Sequence, residues 1–130
     1  MNFEGLEVWK RGVELSTKIY QGMKGLRDYG FRDQITRSSL SIPSNIAEGF
    51  ERESQKEAVT FLSYAKGSSG ELRTQIIIGM KIGYIPDQVG QEWVQRAKEI
   101  SSMLNGLIRT KRSFIKINNK DKGTRIKEQG

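Results

Sequence analysis

Residues 54–82 read SQKEAVTFLSYAKGSSGELRTQIIIGMKI and contain the longest helical pattern of the chain. The segment opens with Ser54 and, three residues later, Glu57, which is the arrangement of an N-terminal capping box. Apolar or small residues then recur at steps of three and four, at Ala58, Leu62, Ala65, Ser69, Leu72, Ile76 and Met80. This spacing places them on one side of an α-helix and predicts a long helix with one buried face.

Three other segments repeat this spacing on either side of the long helix. Their stripes consist of Leu6, Trp9, Val13, Ser16, Tyr20 and Met23; of Phe31, Ile35, Ser39, Ile42, Ile46 and Phe50; and of Val89, Trp93, Ala97, Ile100, Leu104 and Leu107. Pro43 lies within the second stripe, which keeps its phase on both sides, so we expect one kinked helix there. The sequence therefore predicts an all-α fold, an antiparallel up-and-down four-helix bundle over residues 1–113.

The composition excludes several kinds of chemistry. The chain has no cysteine and no histidine, which removes thiolate nucleophiles, disulfides and the Glu-x-x-His sites of di-iron bundles. Glu48 and Glu51 have the spacing of two carboxylates on one helical face, but no second acidic pair stands on a facing helix. A magnesium site is the minor interpretation of this pair, and solvated charge is the main one. We expect no catalytic residue, no metal, no cofactor and no small-molecule substrate.

The hydropathy pattern also bears on location. No stretch approaches the roughly 18 to 20 apolar residues that a membrane span requires. The first residues do not resemble a signal peptide. These observations predict a cytoplasmic protein without a membrane partner.

Basic residues are concentrated at the C-terminal end. From Arg109 to Gly130 there are eight basic and two acidic residues, a balance of +6, whereas residues 1–108 carry 14 basic and 13 acidic residues, a balance of +1. Because apolar periodicity fades beyond Phe114, we expect residues 114–130 to form a disordered, flexible basic tail. Two interpretations stay open, an arm that binds phosphate backbones and a solubilising terminus without a partner. The cations concerned are Arg109, Lys111, Arg112, Lys116, Lys120, Lys122, Arg125 and Lys127.

A second stripe on the long helix consists of the small residues Ser63, Gly67, Gly70 and Thr74. Each glycine costs a helix interior about 1 kcal/mol relative to alanine, so a compensating contact is expected. Close approach of another backbone would provide that contact. The stripe therefore predicts an interface between copies of the chain.

Polar residues around Pro43 form a further candidate site. Proline removes one helical hydrogen bond and leaves a carbonyl one turn earlier without its donor, and Ser44 or Asn45 can compensate locally. Asn45 lies at the edge of the predicted core, with Glu48 and the segment Ser68–Glu71 as candidate partners. The favoured interpretation is a polar clamp that fixes the register of two helices, and the alternative is a contact to a ligand or RNA.

A family resemblance is carried by the run Ser41-Ile-Pro-Ser-Asn-Ile-Ala-Glu-Gly49. It extends to Leu6-Glu-Val-Trp9, to Phe61-Leu62, Ala65, Gly67-Ser68 and Glu71, and to the segment from Leu72 to Gly83-Tyr84. Over residues 3–108 the chain resembles the bacterial four-helix-bundle family that is encoded within intervening sequences of large-subunit ribosomal RNA genes. The motif positions are Ser41, Pro43, Ser44, Asn45, Glu48, Gly49, Ser68 and Glu71.

The resemblance has consequences for assembly and for function. Because relatives form ring-shaped homopentamers, it implies a homo-oligomer, a pentamer. An accessory protein of diversity-generating retroelements, similar in fold, binds nucleic acid and a reverse transcriptase, which implies an association with nucleic acid. The charge pattern agrees with this implication.

These features together predict a non-enzymatic, oligomeric protein that binds RNA. Its partner would be ribosomal RNA or an RNA-processing partner, held by electrostatic contacts. The contact residues would be the C-terminal cations and the rim arginines Arg32, Arg37 and Arg52. The alternative is a protein-interaction scaffold with no nucleic-acid role, in which the small-residue stripe serves self-assembly.

Overall fold

A computed structural model describes the backbone of residues 2–129 and the side chains of residues 2–119. A short 3-10 turn, Phe3–Gly5, precedes four helices: α1 Glu7–Met23, α2 Tyr29–Glu51, α3 Gln55–Lys81 and α4 Asp87–Gln129. Each helix packs on the next along the chain, and α1 also packs on α4. Within residues 2–129 there is no strand, so the predicted all-α four-helix bundle is confirmed.

The core is formed where the four apolar faces meet. Side chains with no exposure lie at its centre, namely Leu15, Ile19, Ile35, Ile46, Leu62, Ala65, Leu72, Ile76, Ala97, Ile100 and Leu104. For α2, α3 and α4 these are largely the residues of the predicted stripes. No helix of the described chain is both long enough and apolar enough to cross a membrane.

The buried face of helix α1 differs from the predicted one. Val13 and Tyr20 are exposed, whereas Leu15 and Ile19 are fully buried. The buried face follows Val8, Gly12, Leu15, Ile19 and Met23 at helical spacing. Gly12 interrupts the apolar pattern of this face, so a search for apolar periodicity alone favours the neighbouring stripe.

The helix ends follow local signals with one exception. Ser54 caps α3 by accepting a hydrogen bond of 3.4 Å from the backbone N–H of Glu57, as the capping box predicts. Helix α2 runs without a break through Pro43, as predicted, and the kink stays a prediction. The backbone is extended at Leu6, the first residue of the predicted stripe, so α1 begins one residue later.

Helix α4 continues well past the end of the bundle. Lys111 Nζ donates to Gln55 Oε1 at 3.1 Å and lies 4.9 Å from the ring centre of Phe50, which ties α4 to the neighbouring ends of α2 and α3. Residues 114–129 extend this helix where a disordered tail was predicted. Residues 107–122 contain no proline or glycine, so the helix can propagate. The side chains of Lys120, Lys122, Arg125 and Lys127 lie outside the described residues.

Candidate nucleic-acid interface

A groove with a volume of about 710 Å³ runs between α3 and α4. Its walls carry five cations, Lys66 and Arg73 from α3 and Arg109, Arg112 and Lys116 from α4, and no carboxylate lines it. Among residues 2–119 none of these five side chains forms an ion pair. The groove is therefore a concentrated, uncompensated positive surface.

Helical spacing explains how the cations come to face each other. Lys66 and Arg73 stand two turns apart on one side of α3, and the three cations of α4 follow one another at steps of three and four. On the same side of α4, Ile108 is only 5% exposed, because it packs into the core beneath the groove. Two rows of cations thus border one channel.

The small-residue stripe forms the α3 side of this groove. Ser63, Gly67 and Gly70 line it, while Thr74 is exposed one turn further on. A Cβ at Gly67 would meet nothing within 4 Å, and one at Gly70 would meet only Nη2 of Arg73 at 3.9 Å. No backbone of the same chain approaches these glycines, so the stripe is open. An interface between copies stays a prediction.

Arg73 differs from the other cations of the groove. It is half-buried, and its Nε is shielded from solvent without a hydrogen-bond partner in the described part of the chain. An unpaired buried donor is costly. The guanidinium therefore lies at the groove with an unused hydrogen-bonding group.

Charges on the opposite side of α4, facing α1, are paired with one another. The cluster consists of Glu7, Glu14, Glu92 and Glu99 with Arg11, Lys18 and Arg96, at separations between 2.9 and 3.6 Å. The hydrogen bond from Arg96 and the charge of Lys18 lower the pKa of Glu92. This face is locally neutralised, in contrast to the groove.

The rim arginines of α2 are not gathered at the groove. Arg32 pairs with Asp33 at 3.7 Å, and Arg52, which directly follows α2, pairs with Glu48 of that helix. Arg37 is exposed and lines a smaller cleft between α2 and α3, together with Ser41, Ser68 and Glu71. The sequence grouped these arginines with the C-terminal cations, but the structure places Arg37 on the other side of α3.

The motif around Pro43 is a helix-to-helix contact. Ser41 Oγ lies 2.8 Å from Ser68 Oγ, and Asn45 Nδ2 donates to the carbonyl and the hydroxyl of Ser41, both at 2.9 Å. Asn45 therefore reaches α3 through Ser41, and the partners expected for it, Glu48 and the segment Ser68–Glu71, are not its direct ones. Ser44 is exposed and has no side-chain hydrogen bond among the described residues.

Two further motif residues act through packing. The ring of Pro43 is buried against Gly12. At Gly49 a Cβ would stand 3.2 Å from the carbonyl oxygen of Ala58, so the glycine lets α2 and α3 come together. Glu48 forms an ion pair with Arg52. Residues 2–119 hold no group of three or more acidic side chains that could bind a metal.

Serines link every consecutive pair of helices. Ser16 Oγ lies 3.0 Å from Ser39 Oγ between α1 and α2, and Ser101 Oγ donates to Ser69 Oγ at 2.8 Å between α4 and α3. Ser69 is fully buried and donates to the carbonyl of Ala97 at 2.9 Å. The sequence placed Ser16, Ser39 and Ser69 in the core stripes, and their polar role could have been inferred from a hydroxyl at a buried position.

The sequence did not single out Lys66 and Arg73. The available signal was their position on α3, since they flank Gly67 and Gly70 at helical spacing. The net charge of residues 1–108 does not reveal these two cations, because that segment is nearly neutral as a whole.

The fold and the groove define a small helical-bundle protein with an uncompensated basic channel. The family model of the 23S rRNA-intervening sequence protein matches residues 4–106, so the chain belongs to that family and the resemblance is confirmed. A protein with unknown function from the S23 ribosomal protein family of Bacteroides thetaiotaomicron is similar in structure, with a TM-score of 0.74 and 22% sequence identity over 78% of this chain and 97% of that chain. No curated protein matches the chain. The family match ends before Arg109, so the cations on the α4 wall lie beyond it.

Proposed function

We propose that this protein binds RNA, without catalysing a reaction, through the groove between α3 and α4. One observation carries the proposal: five cations line a single channel that contains no carboxylate. Phosphate backbones bind to such surfaces because each neutralised phosphate releases condensed counterions. A concave wall of one charge also strengthens the local potential and raises the rate of encounter.

The paired charges elsewhere on the bundle support this choice of surface. On the face between α1 and α4, Arg11 and Arg96 each contact two carboxylates, so little positive potential is left for a ligand. Within residues 2–119 the groove cations lack such partners, and the sequence adds further cations along α4 beyond Lys116. The groove and the α4 extension, residues 114–129, would together form one continuous basic surface.

RNA is the nucleic acid that the family name suggests. The family is named after intervening sequences of 23S rRNA, which makes ribosomal RNA fragments the first probe to use. An RNA-processing partner that presents such RNA would fit the same surface.

The test compares two variants with the same loss of charge. Arg109→Gln/Arg112→Gln/Lys116→Gln removes cations from the groove, and Lys10→Gln/Lys24→Gln/Lys98→Gln removes exposed cations elsewhere. Fluorescence anisotropy with a labelled 23S ribosomal RNA fragment should show a large loss of affinity for the first variant and a small one for the second. Equal losses would mean that only net charge matters, which would remove the groove from the proposal.

A homo-oligomeric scaffold is the second candidate. Phe114 and Ile117 are 52% and 56% exposed on the α4 extension, where no other helix of the chain covers them. Such side chains favour contact with another copy, in keeping with the pentamer that the family resemblance implies. Light scattering at micromolar concentration tests this candidate, and a monomer would count against it.

A further inference from the structure

We infer that the groove accepts the sugar-phosphate backbone of an unpaired RNA strand and excludes a duplex from its floor, with Arg73 as the anchoring residue. The inference rests on the proposed RNA-binding function and narrows the substrate class of that site. It is carried by the open glycine floor between the two rows of cations, together with the half-buried Arg73 beside it, whose Nε has no partner among the described residues.

Arg73 lies where a ligand on the floor must pass. Its Nη2 stands 3.9 Å from the position that a Cβ of Gly70 would take, and its Nε has no acceptor among the described residues. A guanidinium offers donors in a planar fork that matches two oxygens of one phosphate. A phosphate over Gly70 would lie beside Nη2, and the shielded Nε would add a second hydrogen bond once the side chain turns outward.

The shape of the groove separates a single strand from a duplex. Neighbouring helices pack with their axes about 8–10 Å apart, so we expect the channel between α3 and α4 to be narrower than an RNA duplex. A duplex can touch only the outer cations, such as Arg112 and Lys116. One unpaired strand can enter, because Gly67 and Gly70 put no side chain over the backbone.

The residues that line the groove also determine which part of the RNA is recognised. The residues that form the groove include no phenylalanine, tyrosine or tryptophan, so bases have no ring to stack on. Single-strand binding proteins that read or hold bases depend on such stacking. Recognition here would depend on the phosphates and be nearly indifferent to base identity.

The test uses the full chain and two labelled probes of equal length, an oligouridine strand and an RNA duplex. Gly70→Leu fills the floor without changing charge, and Thr74→Leu adds the same side chain to the same helix outside the groove. We expect Gly70→Leu to weaken oligouridine binding by about tenfold, the equivalent of one decade in Kd. Duplex affinity should stay unchanged, and Thr74→Leu should change neither affinity.

Arg73→Gln provides the second variant. It should weaken strand binding more than Arg112→Gln, which removes one equally charged side chain from the rim. Equal effects of the two substitutions would overturn the anchoring role. Uridine monophosphate, added at the same total phosphate concentration, should displace the strand poorly, and efficient displacement would mean an isolated phosphate site and overturn the inference.

Several results would separate this inference from the function on which it rests. If wild-type protein binds the duplex as tightly as the strand, or if Gly70→Leu leaves strand binding intact, the inference is wrong and RNA binding stands. If neither probe binds, both are wrong. If Gly70→Leu loses affinity only because it dissociates an oligomer seen by light scattering, the floor is a subunit contact and the inference is overturned.

Discussion

Ser41 Oγ lies 2.8 Å from Ser68 Oγ, which joins α2 to α3 through two hydroxyl groups from the family motif. Asn45 donates to the same Ser41 hydroxyl at 2.9 Å, so the contact is a network of three side chains. Hydrogen bonds of this kind constrain register, because a shift of either helix separates the partners. The arrangement supports the interpretation of the motif as a polar clamp.

Removing the clamp should destabilise the bundle. Ser41→Ala leaves the half-buried Ser68 hydroxyl without its partner and Asn45 with only its bond to the Ser41 carbonyl, and we expect a loss of about 1 kcal/mol in the free energy of unfolding. Ser44→Ala is the matched control, because Ser44 is exposed. Urea denaturation measures both. Equal stability of the two variants would show that the clamp contributes nothing measurable.

Two glycines should respond oppositely to alanine. At Gly22 a Cβ would stand 2.7 Å from the Trp93 ring, so Gly22→Ala must displace a buried side chain and should lower the melting temperature. At Gly67 a Cβ would meet nothing, so Gly67→Ala should raise stability by about 1 kcal/mol through helix propensity alone. A destabilised Gly67→Ala protein would instead indicate that another molecule packs on the stripe.

Asp28 should make stability depend on pH. Its carboxylate accepts hydrogen bonds from the backbone N–H of Phe31 at 3.1 Å and from Tyr84 Oη at 2.8 Å. These bonds, the backbone one first, hold the pKa of Asp28 below its ordinary value of 3.8. Because the folded pKa is the lower one, the stabilisation is complete above about pH 4 and is lost as the pH falls through the folded pKa.

The variant Asp28→Ala tests this linkage. It should be less stable than wild type at neutral pH, and the difference between the two melting temperatures should shrink below pH 4. The hydrogen bond to Asp28 also raises the pKa of Tyr84 above its ordinary value of 10.0, so Tyr84 should ionise at a lower pH in the variant than in wild type. A constant difference in melting temperature across the acid range would contradict the assignment.

The fold could be predicted from sequence because its signals are local. Helical spacing through Leu62, Leu72 and Ile76, and the cap at Ser54, specify α3 within one segment. The face of α1 could not be predicted from apolar spacing, since Gly12 belongs to the buried face and interrupts its apolar pattern. Its neighbours Ile42 and Pro43 lie on another helix.

The candidate site was predictable only in part, and for a similar reason. The excess of charge at Arg109 and Arg112 is visible in a count along the chain, whereas Lys66 and Arg73 join them only when α3 and α4 are packed side by side. Gly67 and Gly70 are unusual in a helix interior, and the sequence predicted that another backbone packs against them. The structure leaves the space above Gly67 open.

The α4 extension should increase the affinity for RNA without increasing the stability of the fold. A chain that ends after residue 118 keeps the groove and loses Lys120, Lys122, Arg125 and Lys127. Its melting temperature should be unchanged, because the preceding side chains Phe114 and Ile117 are exposed. Calorimetry checks the stability, and anisotropy checks for a uniform loss of affinity across RNA sequences. An unchanged affinity would make the extension a solubilising segment.

The most direct test of RNA binding in the groove is the slope of log affinity against log salt concentration for a single-stranded RNA. Each phosphate that a cation neutralises contributes about −0.7 to this slope. The variant Arg109→Gln/Arg112→Gln/Lys116→Gln should therefore have a slope shallower than that of wild type by about 2. An unchanged slope would contradict the account, because it would mean that these three cations contact no phosphate.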